Sequence, residues 1–394
     1  MLKNRLFWLG IPVGMALMMV LYFAGTRHIM RSHAMWDGRT SPERKISEIY
    51  NILQRHSINT FDKDELLNSM YRGLLDGVGD PYTFYFDREA LAAFIERTDG
   101  TYAGIGMFVA VDPEDRRIVV VEVFPGSPAE ANGLLPGDKI IGVDGQSMDG
   151  KRLEEVTALV KGDPGSRVRL NIMRGRDTFE IEMTRQRVNV PTVNHRMLHD
   201  NIGFLRIAGF EGVTFQQFGE AIIDLHSQNM RGLIIDLRNN PGGRLETVAD
   251  ISNILLPEGV ILYVNYKGGN QVIYESDNRH LGIPLVILVN EQSASASEVL
   301  TGAIRDHGVG TIVGQRTFGK GVVQSLFPVS DDSAVKITVA RYYTPGGYSI
   351  HGEGITPDHI VEVDRETAMR AASLTLEEDI QLQKAIEVMM GKIG

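Results

Sequence analysis

The chain has 394 residues, no cysteine and a formal net charge of −10 at pH 7, with 43% hydrophobic and 23% charged residues. That length and apolar content supply cores for two or three domains, while the missing cysteine excludes disulfides, thiolate metal sites and a thiolate nucleophile. The acidic balance, with no basic run interleaved with aromatics, excludes nucleic acid as a partner, and the 10 His lack an H-E-x-x-H or comparable spacing, so neither a catalytic metal nor a cofactor is expected.

Leu6 to Gly25 is a run of apolar and small residues about one bilayer crossing long, with Lys3 and Arg5 before it and Arg27 and Arg31 after it. Aromatic Tyr22 and Phe23 stand where a signal-peptide cleavage site wants small residues, so the segment reads as an uncleaved transmembrane anchor. Ser41-Pro42 then predicts a helix start, with Ile46, Ile49, Tyr50 and Leu53 on one face. A second stripe, Leu66, Leu67, Met70 and Leu74, ends at Gly77 and Gly79, and a segment holding Leu91 and Phe94 closes at Asp99-Gly100. These helices are expected to pack on the body or a partner chain.

From about Thr101 to Gln186 the pattern changes to short strands with turn signals. Gly104-Ile105-Gly106-Met107 resembles the glycine-flanked loop with which PDZ domains receive a peptide's terminal carboxylate on backbone N–H groups. Pro125-Gly126-Ser127-Pro128, Leu135-Pro136-Gly137-Asp138 and the hairpin turn Asp144-Gly145 follow in PDZ-like order. Leu153, Val156, Leu159 and Val160 form the apolar face of a helix that would wall a groove, in which a peptide adds as a strand.

After residue 186, Thr214-Phe215-Gln216-Gln217 reads as a capping box opening a helix with Phe215, Phe218, Ile222 and Leu225 inward. Leu233-Ile234-Ile235 is a strand buried on both faces, followed by the turn Asn239-Asn240-Pro241-Gly242-Gly243. Apolar Leu285–Val289 precedes Ser293-Ala294-Ser295-Ala296-Ser297-Glu298, so one of three serines sits where a strand turns sharply into a helix. A hydroxyl there is exposed at the sheet's carboxyl edge beside unpaired N–H groups of the first helical turn, a place for a nucleophile and its oxyanion.

Its base is the next question, since no His lies nearby. Lys320 in Gly319-Lys320-Gly321 is the nearest candidate. A lysine acts as a base only when neutral, which at its ordinary pKa is roughly one molecule in a few thousand at pH 7, so burial must lower it. Gln324, four residues on, can accept from the amine without adding charge. Ser/Lys/Gln is a coherent acyl-transfer set. Glu298 and Asp306 read as solvated helix-end residues. Further on, Val335, Ile337 and Val339 alternate as a half-buried strand, Tyr342 to Gly347 read as a loop, and Thr375 to Met390 as a packing helix.

These motifs, with Asp80-Pro81-Tyr82, Asp236-Leu237-Arg238-Asn239-Asn240-Pro241-Gly242-Gly243 and Gly354-Ile355-Thr356-Pro357-Asp358, occur in the order of the C-terminal processing peptidases, or tail-specific proteases, which the chain resembles after its first few dozen residues. The resemblance implies a mixed α/β fold, a crotonase-like or ClpP-like catalytic core with an inserted β-rich PDZ domain, to which the patterns above add an N-terminal helical segment and one transmembrane helix. It implies domains at 1–30 (anchor), 31–100 (helical), 101–186 (PDZ) and 187–394 (catalytic core). Among the serines it selects Ser295 as nucleophile, with Lys320 as base and Gln324 as its orienter, and leaves Ser293 and Ser297 outside the catalytic set. It joins the Ala296 N–H to that of either Gly242 or Gly243 as the oxyanion hole. The partners it implies are proteins or peptides with apolar C-terminal tails, and a homo-oligomer or an activating partner is compatible with it. It puts the catalytic part on the extracytoplasmic side of a bacterial membrane. The rival readings are a catalytically silent PDZ scaffold at the membrane and an enoyl-thioester enzyme, although the latter pairs its oxyanion hole with carboxylates, not a Ser/Lys pair.

Overall fold

The computed structural model describes residues 41–394, so the anchor expected at Leu6 to Gly25 lies outside the described residues. Among the described residues no helix is long and apolar enough to cross a membrane. The described residues divide into two units, 41–70 and Tyr71–Gly394.

In the first unit, helix Pro42–His56 starts as the sequence predicts, with the Ser41 hydroxyl accepting from the Arg44 N–H at 3.4 Å. Its apolar stripe and the Leu66, Leu67 and Met70 stripe of the next helix line one groove. No residue of the helix is buried.

The second unit is built on a six-stranded sheet in the order Val193–Met197, Ile202–Ile207, Gly232–Asp236, Leu285–Val289, Gly310–Gly314, His359–Ile360, parallel except for the first strand. Both faces are covered, which is why its inner strands are continuous apolar runs. Leu233, Ile235, Leu285 and Ile287 face helices Thr214–Ser227, Leu245–Leu255 and Ala296–Asp306. The alternate residues Ile234, Val286 and Leu288 meet Leu382, Ala385 and Met389 of the C-terminal helix. Each such side chain contributes about 1.5–3 kcal/mol by leaving water.

A second, antiparallel sheet carries Phe84–Phe86, Gly259–Tyr266, Gln271–Ser276, Val322–Pro328 and Ala334–Tyr343. The β-rich insertion has a separate core, with Val156 and Val160 of helix Leu153–Val160 packed on its own sheet. Its turn Asp144-Gly145, with φ of 47° and 79°, joins Lys139–Val143 to Gln146–Ser147 as expected for a hairpin. The chain enters and leaves this insertion through a two-stranded ribbon, Thr101–Gly104 against Gln186–Asn189.

Four expectations are corrected. Helix Thr214–Ser227 has no capping box, because the Thr214 hydroxyl bonds the Gly209 carbonyl and the Gln217 amide is turned to Thr192, Val193 and Val190. Its Phe215 is exposed, while Phe218, Ile222 and Leu225 are buried. The C-terminal helix begins at Ile380, capped by Asp379, rather than at Thr375. Tyr342 belongs to strand Ala334–Tyr343 and is buried, where the sequence suggested a loop.

Candidate active site

Three neighbouring parallel strands, Gly232–Asp236, Leu285–Val289 and Gly310–Gly314, send their carboxyl ends into the Asn239–Gly243 turn, the serine run and the Lys320 loop. An open α/β sheet forms its ligand crevice at such ends.

In the serine run, Ser293, Ala294, Ala296 and Ser297 are buried, and only Ser295 reaches the surface. Its backbone has φ 56° and ψ −113°, a conformation that is strained for a residue with a side chain and turns the hydroxyl outward at the start of helix Ala296–Asp306. The flanking serines hold this turn in place. Ser293 donates to the Leu237 carbonyl at 2.8 Å and Ser297 to the Asn240 carbonyl at 2.9 Å, while the Ala294 N–H also donates to Asn240. Asn239 and Asn290 add reciprocal bonds of 3.0 and 2.8 Å. The turn bearing the two glycines is thereby laced to the serine run.

The glycines of that turn differ. A Cβ on Gly242 would lie 2.8 Å from Ser295 Cβ and 2.9 Å from the Ala296 nitrogen, so only glycine leaves space beside the nucleophile. The Gly242 N–H is engaged, donating to Asn240 Oδ1 at 2.8 Å. At Gly243 the neighbouring bonds use the Gly242 carbonyl and the Arg244 N–H with Phe210. Among the described residues the N–H groups of Gly243 and Ala296 have no acceptor.

Glu298 links the backbones of Ser295 and Lys320. The sequence reading of a solvated helix end is wrong here: the carboxylate is wholly buried. It accepts from the Ser295 N–H at 2.9 Å, the Lys320 N–H at 2.8 Å, the Gly319 N–H at 2.7 Å and the Thr317 hydroxyl at 2.6 Å. Burial pushes its pKa up, and these four donors oppose that shift. Glu298→Gln turns an amide NH2 toward donors, leaving at least one of them unpaired. Because an unsatisfied buried donor costs about 1–3 kcal/mol, we expect a lower melting temperature and about a tenfold or larger drop in kcat, read by thermal denaturation and a peptidase assay. Unchanged melting and turnover would show that the carboxylate does not organise the site.

The glycines beside Lys320 admit a close backbone neighbour: a Cβ on Gly321 would lie 2.6 Å from the His351 nitrogen, and Gly319 accepts from the Gly352 N–H at 2.9 Å. Burial pushes the Lys320 ammonium below the ordinary lysine range, with Asp80 and Glu298 pulling the other way. Its Nζ lies 4.7 Å from the centre of the Tyr82 ring. The Asp80–Thr83 turn, held by the Tyr82 N–H and Thr83 hydroxyl on Asp80, brings that ring there. A second lysine, Lys336, lies 5.0 and 5.1 Å from the ring centres of Phe84 and Phe94. Burial, then the Lys320 charge, lowers its pKa.

Gln324 sits on strand Val322–Pro328, its amide nitrogen donating to the Val322 carbonyl at 3.2 Å, and no hydrogen bond joins it to Lys320 among the described residues. A further residue beside Lys320, Tyr342, was missed in the sequence. The Tyr342 hydroxyl donates to the Lys320 carbonyl, and burial pushes its pKa well above the ordinary range. It is therefore a neutral phenol at any working pH. Nothing local marks Tyr342, since its place depends on strand pairing with Val322–Pro328. Glu298 did carry a signal, its three-residue spacing from Ser295, but burial could not be read from that spacing.

Behind the glycine turn, buried Arg238 pairs with Asp236 at 2.8 Å and with Asp379 at 2.7 Å, tying the C-terminal helix to the site. Burial alone would raise the Asp236 carboxyl, but the Arg238 guanidinium more than offsets it and holds it below its usual range.

The loop read as a peptide receiver, residues 104–107, joins two strands. Gly104 ends one strand and Met107 begins the next, and the apolar groove beside them, about 290 Å³, is lined by Ile105, Phe108, Ile140, Val156 and Val160. Among the described residues no group of His, Asp and Glu is arranged to hold a metal ion.

The sequence patterns of two families match this arrangement: the PDZ domain over residues 104–184 and peptidase family S41 over residues 201–361. They define a serine-type peptidase that carries a PDZ domain. The carboxy-terminal processing protease CtpA of Bacillus subtilis is 33% identical over 342 residues, covering 86% of this chain and 73% of that protein. A carboxyl-terminal-processing protease of Synechocystis is 34% identical, covering 82% and 76%. A solved Bacteroides fragilis structure described as a candidate S41 protease shares the fold at a TM-score of 0.50 and 15% identity, covering 81% and 90% of the two chains. The chain belongs to the carboxyl-terminal processing proteases of peptidase family S41.

Proposed function

We propose that this protein is an endopeptidase that takes the unstructured, apolar C-terminal tail of a protein in its PDZ groove and cleaves it through an acyl-enzyme on Ser295. The observation that carries this reading is the Glu298 carboxylate, which accepts from the backbone of both Ser295 and Lys320 and so fixes nucleophile and base on one buried anchor. Neutral Lys320 takes the Ser295 proton as Oγ attacks the scissile carbonyl. The resulting oxyanion is held by the N–H groups of Ala296 and Gly243, since Gly242 is already bonded to Asn240. Lys320 then protonates the departing amine, and a water activated by the same lysine releases the acyl group. Gln324 is assigned the role of orienting the amine with its carbonyl oxygen. The Leu6 to Gly25 segment would hold the enzyme on the extracytoplasmic side of a bacterial membrane.

The test uses the full-length protein and peptides with identical apolar tails ending in a carboxylate or an amide. Free-acid tails are expected to bind more tightly and to be cleaved faster, because backbone donors in a concave loop stabilise an anion more than a neutral amide. In cells, the protein is expected in a carbonate-resistant membrane fraction, where external protease reaches residues 41–394. Equal cleavage of both peptides removes tail reading from this proposal, and recovery as a soluble protein removes the anchor.

A further inference from the structure

The Gly104–Met107 loop already has an occupant. Two residues before Gly104, on strand Thr101–Gly104, the Tyr102 ring folds back over the loop so closely that a Cβ on Gly104 would lie 2.6 Å from Tyr102 Cε2. Its hydroxyl accepts from the Met107 N–H at 3.3 Å. The loop's carbonyls point elsewhere: Ile105 accepts from the Ala129 N–H at 2.8 Å, and Gly106 from the Phe124 N–H at 3.0 Å and the Ser127 hydroxyl at 3.2 Å. What the loop offers is therefore donors only, and the phenol oxygen sits on one of them. The ring is held by Phe124, edge to face at 6.3 Å, and by Lys161, whose Nζ is 5.0 Å from the ring centre and which also pairs with Glu96. The same ring forms part of the apolar groove wall.

We propose that the Tyr102 hydroxyl is a built-in competitor for the substrate tail: it occupies a backbone donor meant for the terminal carboxylate, and a free-acid tail binds by displacing it. This rests on the reading that the loop receives a carboxylate. A neutral phenol oxygen is a weaker acceptor than a carboxylate, whose charge-assisted bonds are roughly twice as strong. A free-acid tail therefore wins the exchange, whereas an amidated or internal segment gains too little to displace the ring. Tyr102 thus sets a threshold at the loop: a free-acid tail must replace the phenol and bears that cost, whereas an amidated or internal segment leaves the ring in place and is little affected by it. The residue acts on specificity and touches no reacting atom of the peptide bond.

The test is Tyr102→Phe, which keeps the ring, its packing on Phe124 and the Lys161 contact while removing the oxygen. Binding is measured by titration calorimetry on the full chain carrying Ser295→Ala, so that the peptides survive, with one apolar-tailed peptide as free acid and as amide. Removal of a net hydrogen bond predicts free-acid binding about three- to tenfold tighter in Tyr102→Phe, with the amidated peptide changed much less. Free-acid binding that is unchanged or weaker would overturn the proposal, the weaker case meaning that the hydroxyl serves the tail. Equal tightening for both peptides would overturn it too, as an effect of the groove alone. If neither protein distinguishes acid from amide, the carboxylate reading of the loop itself fails, and the competitor role with it.

Discussion

Replacing Ser295 with alanine is expected to abolish cleavage of a denatured reporter ending in an apolar tail, a loss on the order of a thousandfold or more because covalent catalysis is removed. The two neighbouring serines should behave differently, although they share its local sequence. Ser293 and Ser297 are buried and donate to the Leu237 and Asn240 carbonyls, so their alanine variants lose a hydrogen bond that positions the turn. A loss of about 1 kcal/mol of stability each, with measurable activity retained, is the expected outcome. Labelling with an acylating serine probe gives the same answer by a second route, since the label should depend on Ser295 alone. Activity that survived in Ser295→Ala but not in Ser293→Ala would reassign the nucleophile.

Lys320→Arg is expected to be as inactive as Lys320→Ala. A guanidinium keeps its charge at every working pH and cannot take the Ser295 proton. For the native enzyme the sign of the pH dependence follows from the direction of the shift. Burial lowers the Lys320 pKa, so the neutral, competent amine becomes more populated as pH rises through that lowered value. The profile of kcat/KM should therefore climb with pH and level off below the range of an ordinary lysine. Acidification should switch activity off without unfolding, as circular dichroism on the same samples can check. A flat profile together with an active arginine variant would identify another residue as the base.

The backbone around the proposed nucleophile was legible from local sequence because it depends on local geometry. A strand, a sharp turn and a helix start around Ser295 follow from Leu285–Val289, the small residues after it and the helical pattern beyond. Gly319 and Gly321 announced a close backbone approach, which the 351–354 segment makes. The inserted domain was readable from its turns, which occur in a fixed order, and its helix Leu153–Val160 buries Val156 and Val160 as the periodicity requires. Resemblance to a family then singled out Ser295 from its neighbours, and the structure supplies the physical reason: it alone of the run is at the surface, in strained backbone.

What the tertiary structure decided are contacts between segments far apart in sequence. Glu298 looked like a solvated helix-start residue because an S-x-x-E spacing usually is one; only the packing of Thr317, Gly319 and Lys320 against it made it the anchor of the site. Tyr342 and Tyr82 reach Lys320 through the second sheet and the Asp80 turn, respectively. Gln217 looked like a cap and instead bridges to Thr192 and Val190. The proposal of Gly243 over Gly242 for the oxyanion hole also needed the fold, because it rests on which N–H the Asn240 side chain takes. Periodicity and turn chemistry report what a residue's own backbone will do. They are silent on which distant segment will remove its water, and in this protein that removal lowers the Lys320 pKa and buries Glu298 between the backbones of Ser295 and Lys320.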